Sequence, residues 1–142
     1  MKDDIYFLKQ AIEIGNKKPV PYNFGAVVVK DGKIIAADHN HVQETNNPSL
    51  HAEISAIIKA CEVLDSYNID GCTLYASHEP CMMCMACAAW AHIDRIVYVT
   101  AASEQQDMMH EFKGFSVQDF AKKLPRPMKI ERILLSETAD RT

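Results

Sequence analysis

The sequence predicts an α/β protein of three layers, in which helices cover both faces of a mixed five-stranded sheet. The pattern begins with a helical segment and two short strands joined by a tight turn, and then alternates helices with strands. The segment between the last two strands is long enough for a helical crossover, so those strands can run parallel. At 142 residues, the chain is expected to form a single domain over residues 1–142.

The first half of the chain supplies a helix, a hairpin and a second helix. Residues 3–15 carry apolar side chains at helical spacing, and a glycine ends them. After a loop with two prolines, an aspartate-glycine turn joins a predicted strand over 24–30 to its partner over 33–38. Ser49 is the expected N-cap of a helix over 50–64.

The second half of the chain alternates strands and helices. A strand over 72–77 leads into a helix over 81–91, and a fourth strand follows over 95–100. Residues 103–123 are polar and weakly helical, and 128–135 form the fifth predicted strand. Ligands that follow strands at the starts of helices should therefore meet at one rim of the sheet.

Composition narrows the classes of function. Hydrophobic residues make up 48% of the chain, which is enough for a full core, and no stretch approaches the length of a membrane span. The net charge of −4 and the pI near 5.8 argue against a nucleic-acid partner. Five cysteines, an odd number, and an N-terminus without the features of a signal peptide predict a cytoplasmic protein.

Two short motifs carry the chemistry: HAE at residues 51–53 and PCMMC at residues 80–84. Histidine and cysteine side chains are ligands that Zn²⁺ prefers, and a catalytic zinc takes three protein ligands and leaves its fourth position open. The two motifs supply three such ligands, His51, Cys81 and Cys84. The sequence therefore predicts a mononuclear catalytic zinc site.

Glu53 is the expected catalytic residue of this site. Two thiolates neutralise the double charge of the zinc, so a water there is less acidic than on a zinc held by imidazoles alone. Such a site needs a nearby base. The Glu53 carboxylate can take the proton of the water and later return it to the substrate, which makes it first a base and then an acid.

Both motifs are expected at the N-termini of helices. On the side of a helix, positions two apart point about 200° apart, so His51 and Glu53 would not both face one metal. The first turn, seen end-on, can direct both side chains inward. The positive ends of two helices would also favour thiolates at the metal.

A structural zinc with four protein ligands is the alternative interpretation. Cys87 lies one turn beyond Cys84 and is the best spare ligand for it, although packing in the interior is the more ordinary role of such a cysteine. Cys61 and Cys72 are expected to be packing residues as well. The remaining histidines are expected to be surface or hydrogen-bonded residues: His39, His41, His78, His92 and His110.

Beyond the two motifs, the chain resembles the cytidine and deoxycytidylate deaminase superfamily over nearly its whole length. The segments FGAVVV at 24–29, HAEISAI at 51–57 and EPCMMC at 79–84 are similar to the branch that contains guanine deaminases, yeast-type cytosine deaminase and tRNA wobble adenosine deaminases. The resemblance implies a cytidine-deaminase-like fold, a homodimer and one Zn²⁺. By the same resemblance, the zinc ligands and the proton shuttle are His51, Cys81, Cys84 and Glu53.

Within that branch, Phe24 and Trp90 are most similar to bacterial guanine deaminases, and both could press on a flat purine. Packing in the core is the alternative for Trp90. Asn40 matches a family position that hydrogen-bonds the base. The alternative role for Asn40 is that of a turn residue that caps the second strand. The carboxylates that could contact the amino or N–H groups of a purine are Asp107, Glu104 and Glu111.

The reaction that the resemblance implies is hydrolytic deamination of a nucleobase or related small aminoheterocycle, with guanine converted to xanthine as the first choice. The alternatives are an adenine- or cytosine-type base or nucleoside, the wobble adenosine of a tRNA, and a non-catalytic zinc module. The tRNA enzymes carry a basic C-terminal helix, and no such helix is visible after the last predicted strand.

Overall fold

The computed structural model describes residues 2–105, 111–112 and 114–135. Strands and helices follow one another in the order that the sequence predicts, and a single turn of 3₁₀ helix, Ala102–Glu104, comes after the fourth strand. The helices are α1 (Asp4–Gly15), α2 (Val42–Thr45), α3 (Ala52–Leu64), α4 (Met82–Trp90) and α5 (Val117–Lys122). The strands are β1 (Gly25–Lys30), β2 (Lys33–His39), β3 (Thr73–His78), β4 (Arg95–Thr100) and β5 (Lys129–Arg132).

The five strands form one mixed sheet in the order β2-β1-β3-β4-β5. β1 runs antiparallel to both of its neighbours, whereas β3, β4 and β5 run parallel to one another. The helical crossover that the sequence predicts between the last two strands is therefore confirmed. Among the described residues, no helix is long and apolar enough to cross a bilayer.

Helices cover both faces of the sheet, as predicted. Successive side chains of β1 point to opposite faces, so Val27 and Val29 pack against α1, while Ala26 and Val28 pack against α3 and α4. Each large apolar side chain buried in these two layers stabilises the fold by roughly 1.5–3 kcal/mol. The layers between the sheet and its helices fix the rim where α3 and α4 begin.

The predicted N-cap of the second long helix is wrong. α3 begins at Ala52 with His51 in the N-cap position, two residues later than the Ser49 cap that the sequence predicts. The Ser49 hydroxyl instead donates to Asn47 Oδ1 at 2.6 Å, and the Ser49 backbone N–H donates to the same oxygen at 2.9 Å. Because the turn before the helix uses this side chain, it does not cap α3.

Three further differences concern short or polar segments. The four-residue α2 is not foreseen, because a single helical turn has too few residues to show a hydrophobic period. Within the described part of the predicted segment 103–123, only the 3₁₀ turn and α5 are helical. β5 is four residues long rather than eight, since it is an edge strand that pairs with β4 alone, from Lys129 to Arg132.

One close approach between α1 and β1 requires a glycine at the edge of the site. A Cβ atom on Gly25 would lie 1.9 Å from the carbonyl oxygen of Ala11. Glycine therefore allows the end of α1 to pack against the start of β1, directly after Phe24. The β1 and β3 pair ends where Ala26 faces Ala76, and just beyond it the Phe24 ring contacts the His78 ring.

Candidate active site

His51, Cys81 and Cys84 form a triangle at the starts of two helices. His51 is the N-cap of α3, Cys81 is the N-cap of α4, and Cys84 lies in the first turn of α4. Neither N-cap side chain makes a capping hydrogen bond, which leaves both free to bind a ligand. The placement of both motifs at helix N-termini, which the sequence predicts, is confirmed.

The distances within this triangle fit one tetrahedral zinc ion. The Sγ atoms of Cys81 and Cys84 are 3.7 Å apart, and each lies 3.6 Å from His51 Nδ1. With Zn–S bonds of about 2.3 Å and a Zn–N bond of about 2.0 Å, tetrahedral angles require about 3.8 Å between sulfurs and about 3.5 Å from sulfur to nitrogen. The three side chains therefore suit a zinc ion without rearrangement, through Nδ1 of the histidine.

The charges of the three side chains also suit a cation. Hydrogen bonding from Cys84, together with the neighbouring His51, lowers the pKa of Cys81 to about 4. The hydrogen bond to Cys81, followed by burial, raises the pKa of Cys84, and the hydrogen bond to Cys81 raises that of His51. Because the proton is shared among them, one thiolate is present at neutral pH even before a metal displaces the remaining proton.

Glu53 lies beside the triangle in the first turn of α3 and is 7% exposed. Burial raises the pKa of its carboxyl to about 7. A group with a pKa near neutrality can both accept and donate a proton under physiological conditions, which is what a residue acting first as base and then as acid requires. Glu53 lines the same cavity as His51 and Cys81.

A cavity of about 140 Å³ opens next to the metal triangle and Glu53. Its lining includes the aromatic ring of Phe24 and the polar side chains of Asn40 and Gln43. Such a cavity, apolar with a few convergent polar groups, is typical of small-molecule sites. The lining residues that the sequence analysis did not single out are Tyr22, Val42, Gln43, His78, Glu79 and Gln105.

Asn40 has both of the properties considered for it. Its side chain is 5% exposed and lines the cavity, as a residue that contacts substrate would. Its Oδ1 also accepts a hydrogen bond from the Val42 backbone N–H at 2.8 Å, and its Nδ2 donates to Gln43 Oε1 at 2.9 Å. The turn geometry therefore fixes the amide at the cavity wall and leaves its second Nδ2 hydrogen and one Oδ1 lone pair for a ligand.

Trp90 is placed differently from both expectations. Trp90 is the last residue of α4, and its side chain is 82% exposed and does not line the cavity. Within one chain, Trp90 therefore neither packs in the core nor contacts a substrate in that cavity. The reason is that Ala88 and Ala89 already bury the inward face of the helix end. These two predictions for Trp90 are wrong for the single chain.

The three carboxylates considered for substrate contact lie in different parts of the chain. Glu104 is exposed, accepts a hydrogen bond from the Ala101 backbone N–H at 2.9 Å and pairs with Arg132. Glu111 is exposed at a smaller cavity that adjoins Cys81. Asp107 lies outside the described residues.

Among the described residues, no fourth ligand stands beside His51, Cys81 and Cys84 to support the structural-zinc alternative. Within residues 2–105, 111–112 and 114–135, potential ligand atoms lie within 4.8 Å of one another in two groups. The first contains His51, Cys81 and Cys84, and Cys87 belongs to neither group. The second group comprises Asp38, His39 and His41, whose ligand atoms are already largely engaged in hydrogen bonds with one another and with their neighbours.

Asp38 ties the strand before the site to the helix that carries it. This aspartate of β2 is 4% exposed, and its Oδ2 accepts from the Ser55 hydroxyl of α3 at 2.6 Å and lies 3.1 Å from Lys59 Nζ. Its Oδ1 accepts from the His39 backbone N–H at 2.8 Å and lies 2.6 Å from His41 Nε2. The sequence analysis missed this network, because its partners are far apart in the chain.

The Asp38 network predicts a particular dependence of stability on pH. Burial raises the pKa of Asp38, but the hydrogen bonds that it accepts from Ser55 and His41 outweigh burial and lower it from 3.8 to about 2. Burial lowers the pKa of His41, but the hydrogen bonds that its ring donates to Asp38 and Glu44 raise it above 6.5. The contribution of Asp38 is present above pH 3.8 and is lost as the pH falls toward 2. The contribution of His41 is present below pH 6.5 and is lost as the pH rises through its folded-state pKa.

We therefore expect Asp38→Asn to lower the free energy of unfolding by about 3 kcal/mol, most strongly near pH 5, because it removes the buried carboxylate that accepts from Ser55 and pairs with His41 and Lys59. Urea unfolding at pH 3, 5 and 8 would measure the difference from the wild type. Asp70→Asn, which changes an exposed aspartate, is the matched control and should differ little from the wild type at all three values. Equal curves for the wild type and Asp38→Asn would contradict the prediction.

The sequence matches the model of a known protein family. The model described as the cytidine and deoxycytidylate deaminase zinc-binding region matches residues 1–100 of the chain. The match covers more than half of the 142 residues and includes both metal-ligand motifs.

Two curated relatives represent two kinds of substrate. Guanine deaminase of Bacillus subtilis is 41% identical over 124 residues, which cover 85% of this chain and 76% of that protein. A tRNA-specific adenosine deaminase of Aquifex aeolicus is 39% identical over 97 residues, which cover 66% of this chain and 63% of that protein. The percentage identity to the guanine deaminase is therefore close to that to the tRNA-specific adenosine deaminase.

The solved structure of guanine deaminase from Bacillus subtilis superimposes on the chain with a TM-score of 0.70. The superposition covers 99% of this chain and 91% of that one, at 32% identity. The mixed sheet, its helical layers and the rim that carries the metal triangle thus belong to a known architecture.

Proposed function

This chain belongs to the cytidine and deoxycytidylate deaminase family and is a zinc-dependent deaminase, and we propose that its substrate is guanine, which it converts to xanthine and ammonia. The observation that carries the proposal is the cavity of about 140 Å³, which brings the Phe24 ring and Asn40 next to Glu53 and the metal triangle. An aromatic wall and a few fixed polar groups suit a flat heterocycle. The 41% identity to a guanine deaminase supports the choice of base.

In this proposal His51, Cys81 and Cys84 hold the zinc. When bound, the ion supplies positive charge that lowers the pKa of a water molecule and polarises the carbon under attack. The three residues leave one tetrahedral position open, which the cavity reaches. Because two thiolates reduce the net charge of the site, the protein must supply its own base.

Glu53 moves the protons of the reaction. Its carboxylate takes a proton from the attacking water, whose oxygen forms a bond to C2 of guanine, and passes that proton to ring nitrogen N3. It then takes the second proton of the same water and gives it to the 2-amino group. The C2–N bond breaks with its electron pair on nitrogen, ammonia leaves, and the oxygen remains at C2 as the carbonyl of xanthine.

Phe24 and Asn40 position the base. The Phe24 ring forms part of the cavity wall and can lie against the purine, while the Asn40 amide, fixed by the Val42 N–H and by Gln43, offers a hydrogen bond to its edge. Deamination of a tRNA is the second candidate, because relatives of that kind match at 39% identity. The net charge of −4 favours a small base over an RNA held through its phosphates.

The substrate prediction is tested by measuring ammonia release from guanine, other free bases, nucleosides and an anticodon stem-loop. We expect ammonia release from guanine to depend only weakly on salt between about 50 and 200 mM, because guanine carries no phosphate for the protein to bind. A steep loss of affinity for the stem-loop at rising salt, with no ammonia from free guanine, would instead favour the tRNA substrate. Ammonia from another free base alone would contradict guanine and leave deamination intact.

We also propose a homodimer of single-domain chains in the cytoplasm. Apolar side chains are exposed on two neighbouring helices, Ile58 of α3 at 43% and Trp90 of α4 at 82%, and burial against a second copy would remove them from water. All five cysteines are free thiols, which suits a reducing compartment. Light scattering of the purified protein would measure the mass, and a monomer at micromolar concentration would contradict the dimer.

A further inference from the structure

His78 occupies a position in the cavity wall to which no role has been given so far. It is the last residue of β3, and it lines the cavity together with His51 and Glu53. The rings of Phe24 and His78 pack edge to face, with centroids 4.4 Å apart and planes at 64°. The imidazole is therefore held by the sheet and by an aromatic neighbour.

Ser77 decides which nitrogen of His78 carries the proton. The Ser77 Oγ atom accepts a hydrogen bond from the Gly25 backbone N–H at 3.0 Å, and it lies 2.7 Å from His78 Nδ1. A hydroxyl has one hydrogen to donate, and within the described part of the chain His78 Nδ1 is the acceptor beside it. We assign the hydroxyl as the donor to Nδ1, which places the proton of the neutral ring on Nε2.

The Nε2–H group of His78 is available to a ligand. It makes no hydrogen bond with any residue in the described ranges, although every fully buried side-chain polar atom of those ranges has a partner. Nε2 is therefore not fully buried, and the His78 side chain lines the cavity beside Glu53. Burial lowers the pKa of His78 to about 4, so the ring is neutral at physiological pH and offers one N–H donor rather than a charge.

We propose that His78 is a specificity-determining residue, whose Nε2–H donates a hydrogen bond to the 6-oxo group of the purine. The inference rests on the proposed guanine substrate and adds the group that recognises it. A purine with an amino group at position 6 would point N–H donors at an N–H donor. In the other tautomer Nδ1–H would donate to Ser77 Oγ, and the Ser77 hydroxyl hydrogen would lose its acceptor among the described residues. The 6-amino compound is therefore disfavoured.

The test compares guanine with 2,6-diaminopurine, because both carry the reacting 2-amino group and they differ in the group at position 6 and in the hydrogen on N1. His78→Asn keeps an oxygen that can accept from Ser77 but lacks an N–H at the Nε2 position. We expect it to lower the ratio of kcat/KM for guanine to that for 2,6-diaminopurine about tenfold or more, mainly through KM for guanine. His78→Gln, whose side-chain NH₂ reaches the Nε2 position, should keep most of the ratio.

Three measurements make the outcomes distinguishable. Zinc content and thermal unfolding should be the same for His78→Asn and the wild type, and an unchanged substrate ratio in that folded variant would overturn the role of His78 while guanine stays the substrate. No ammonia from guanine with the wild type would overturn the proposed function, and the inference with it. If His78→Asn does not fold, ¹⁵N chemical shifts of the His78 ring in the wild type test the inference instead. A proton on Nδ1 would overturn it, and so would an Nε2 signal that does not move when xanthine or guanine is added.

Discussion

Glu53→Ala is expected to lose nearly all turnover while it keeps its zinc. The carboxylate moves protons between water and substrate and is not one of the three residues whose atoms fit the ion. General acid–base catalysis contributes on the order of 10² to 10⁴-fold, and the loss should be at the upper end because one residue serves several transfers. The measurement is kcat with guanine, together with zinc content by atomic spectroscopy.

Two further variants separate proton transfer from packing around Glu53. Glu53→Gln keeps the size of a side chain that is 7% exposed and removes only its ability to accept a proton, so it should be as inactive as Glu53→Ala. Glu62→Gln, on the exposed side of the same helix, is the matched control and should keep normal activity. Near-normal turnover in zinc-loaded Glu53→Gln would remove Glu53 from the mechanism.

The metal site could be predicted from the sequence because its geometry is local. His51 and Glu53 lie in one motif and Cys81 and Cys84 in another, and each motif begins a helix, so the path of the chain within a few residues sets the direction of each side chain. The only long-range requirement is that the two helix starts meet. The alternation of strands and helices, which places both starts at one rim of the sheet, meets that requirement.

The cavity wall could not be predicted in the same way, because its residues come together through strand register. In the sequence His78 is one histidine among several, and its proposed role depends on Phe24, whose ring packs against it beyond the end of the β1 and β3 pair. A shift of one residue in that register would turn both rings to the other face of the sheet. The hydrogen bond from Gly25 to Ser77, 52 residues apart, likewise exists only in the folded sheet.

For Trp90 the sequence analysis assigned a role that depends on how the helix packs, and the packing does not support it. An aromatic residue at the end of an apolar helix reads as a core or binding residue. In the fold, α4 is already covered through Met85, Ala88 and Ala89, and the indole at the last position of the helix is left 82% exposed. Helical periodicity indicates which face is buried but not whether the final turn still lies over the sheet.

Cys81→Ala and Cys84→Ala are expected to remove the zinc and to lower the unfolding temperature. The ion joins the starts of α3 and α4, so its binding free energy contributes to the stability of the fold. Zinc at a thousand times its dissociation constant contributes about 4 kcal/mol. For a domain of this size that corresponds to a fall of about 10 °C or more in Tm, to be measured by calorimetry together with zinc content.

Cys87→Ala is the matched control, because it removes a thiol from the same helix without touching the triangle of His51, Cys81 and Cys84. It should keep one zinc per chain and normal turnover. Treatment of the wild type with a chelator should lower its Tm to that of Cys81→Ala, since both remove the same ion and Cys81 contributes little else to the core. Loss of zinc from Cys87→Ala would mean that four side chains close the site, and it would contradict a catalytic zinc with an open position.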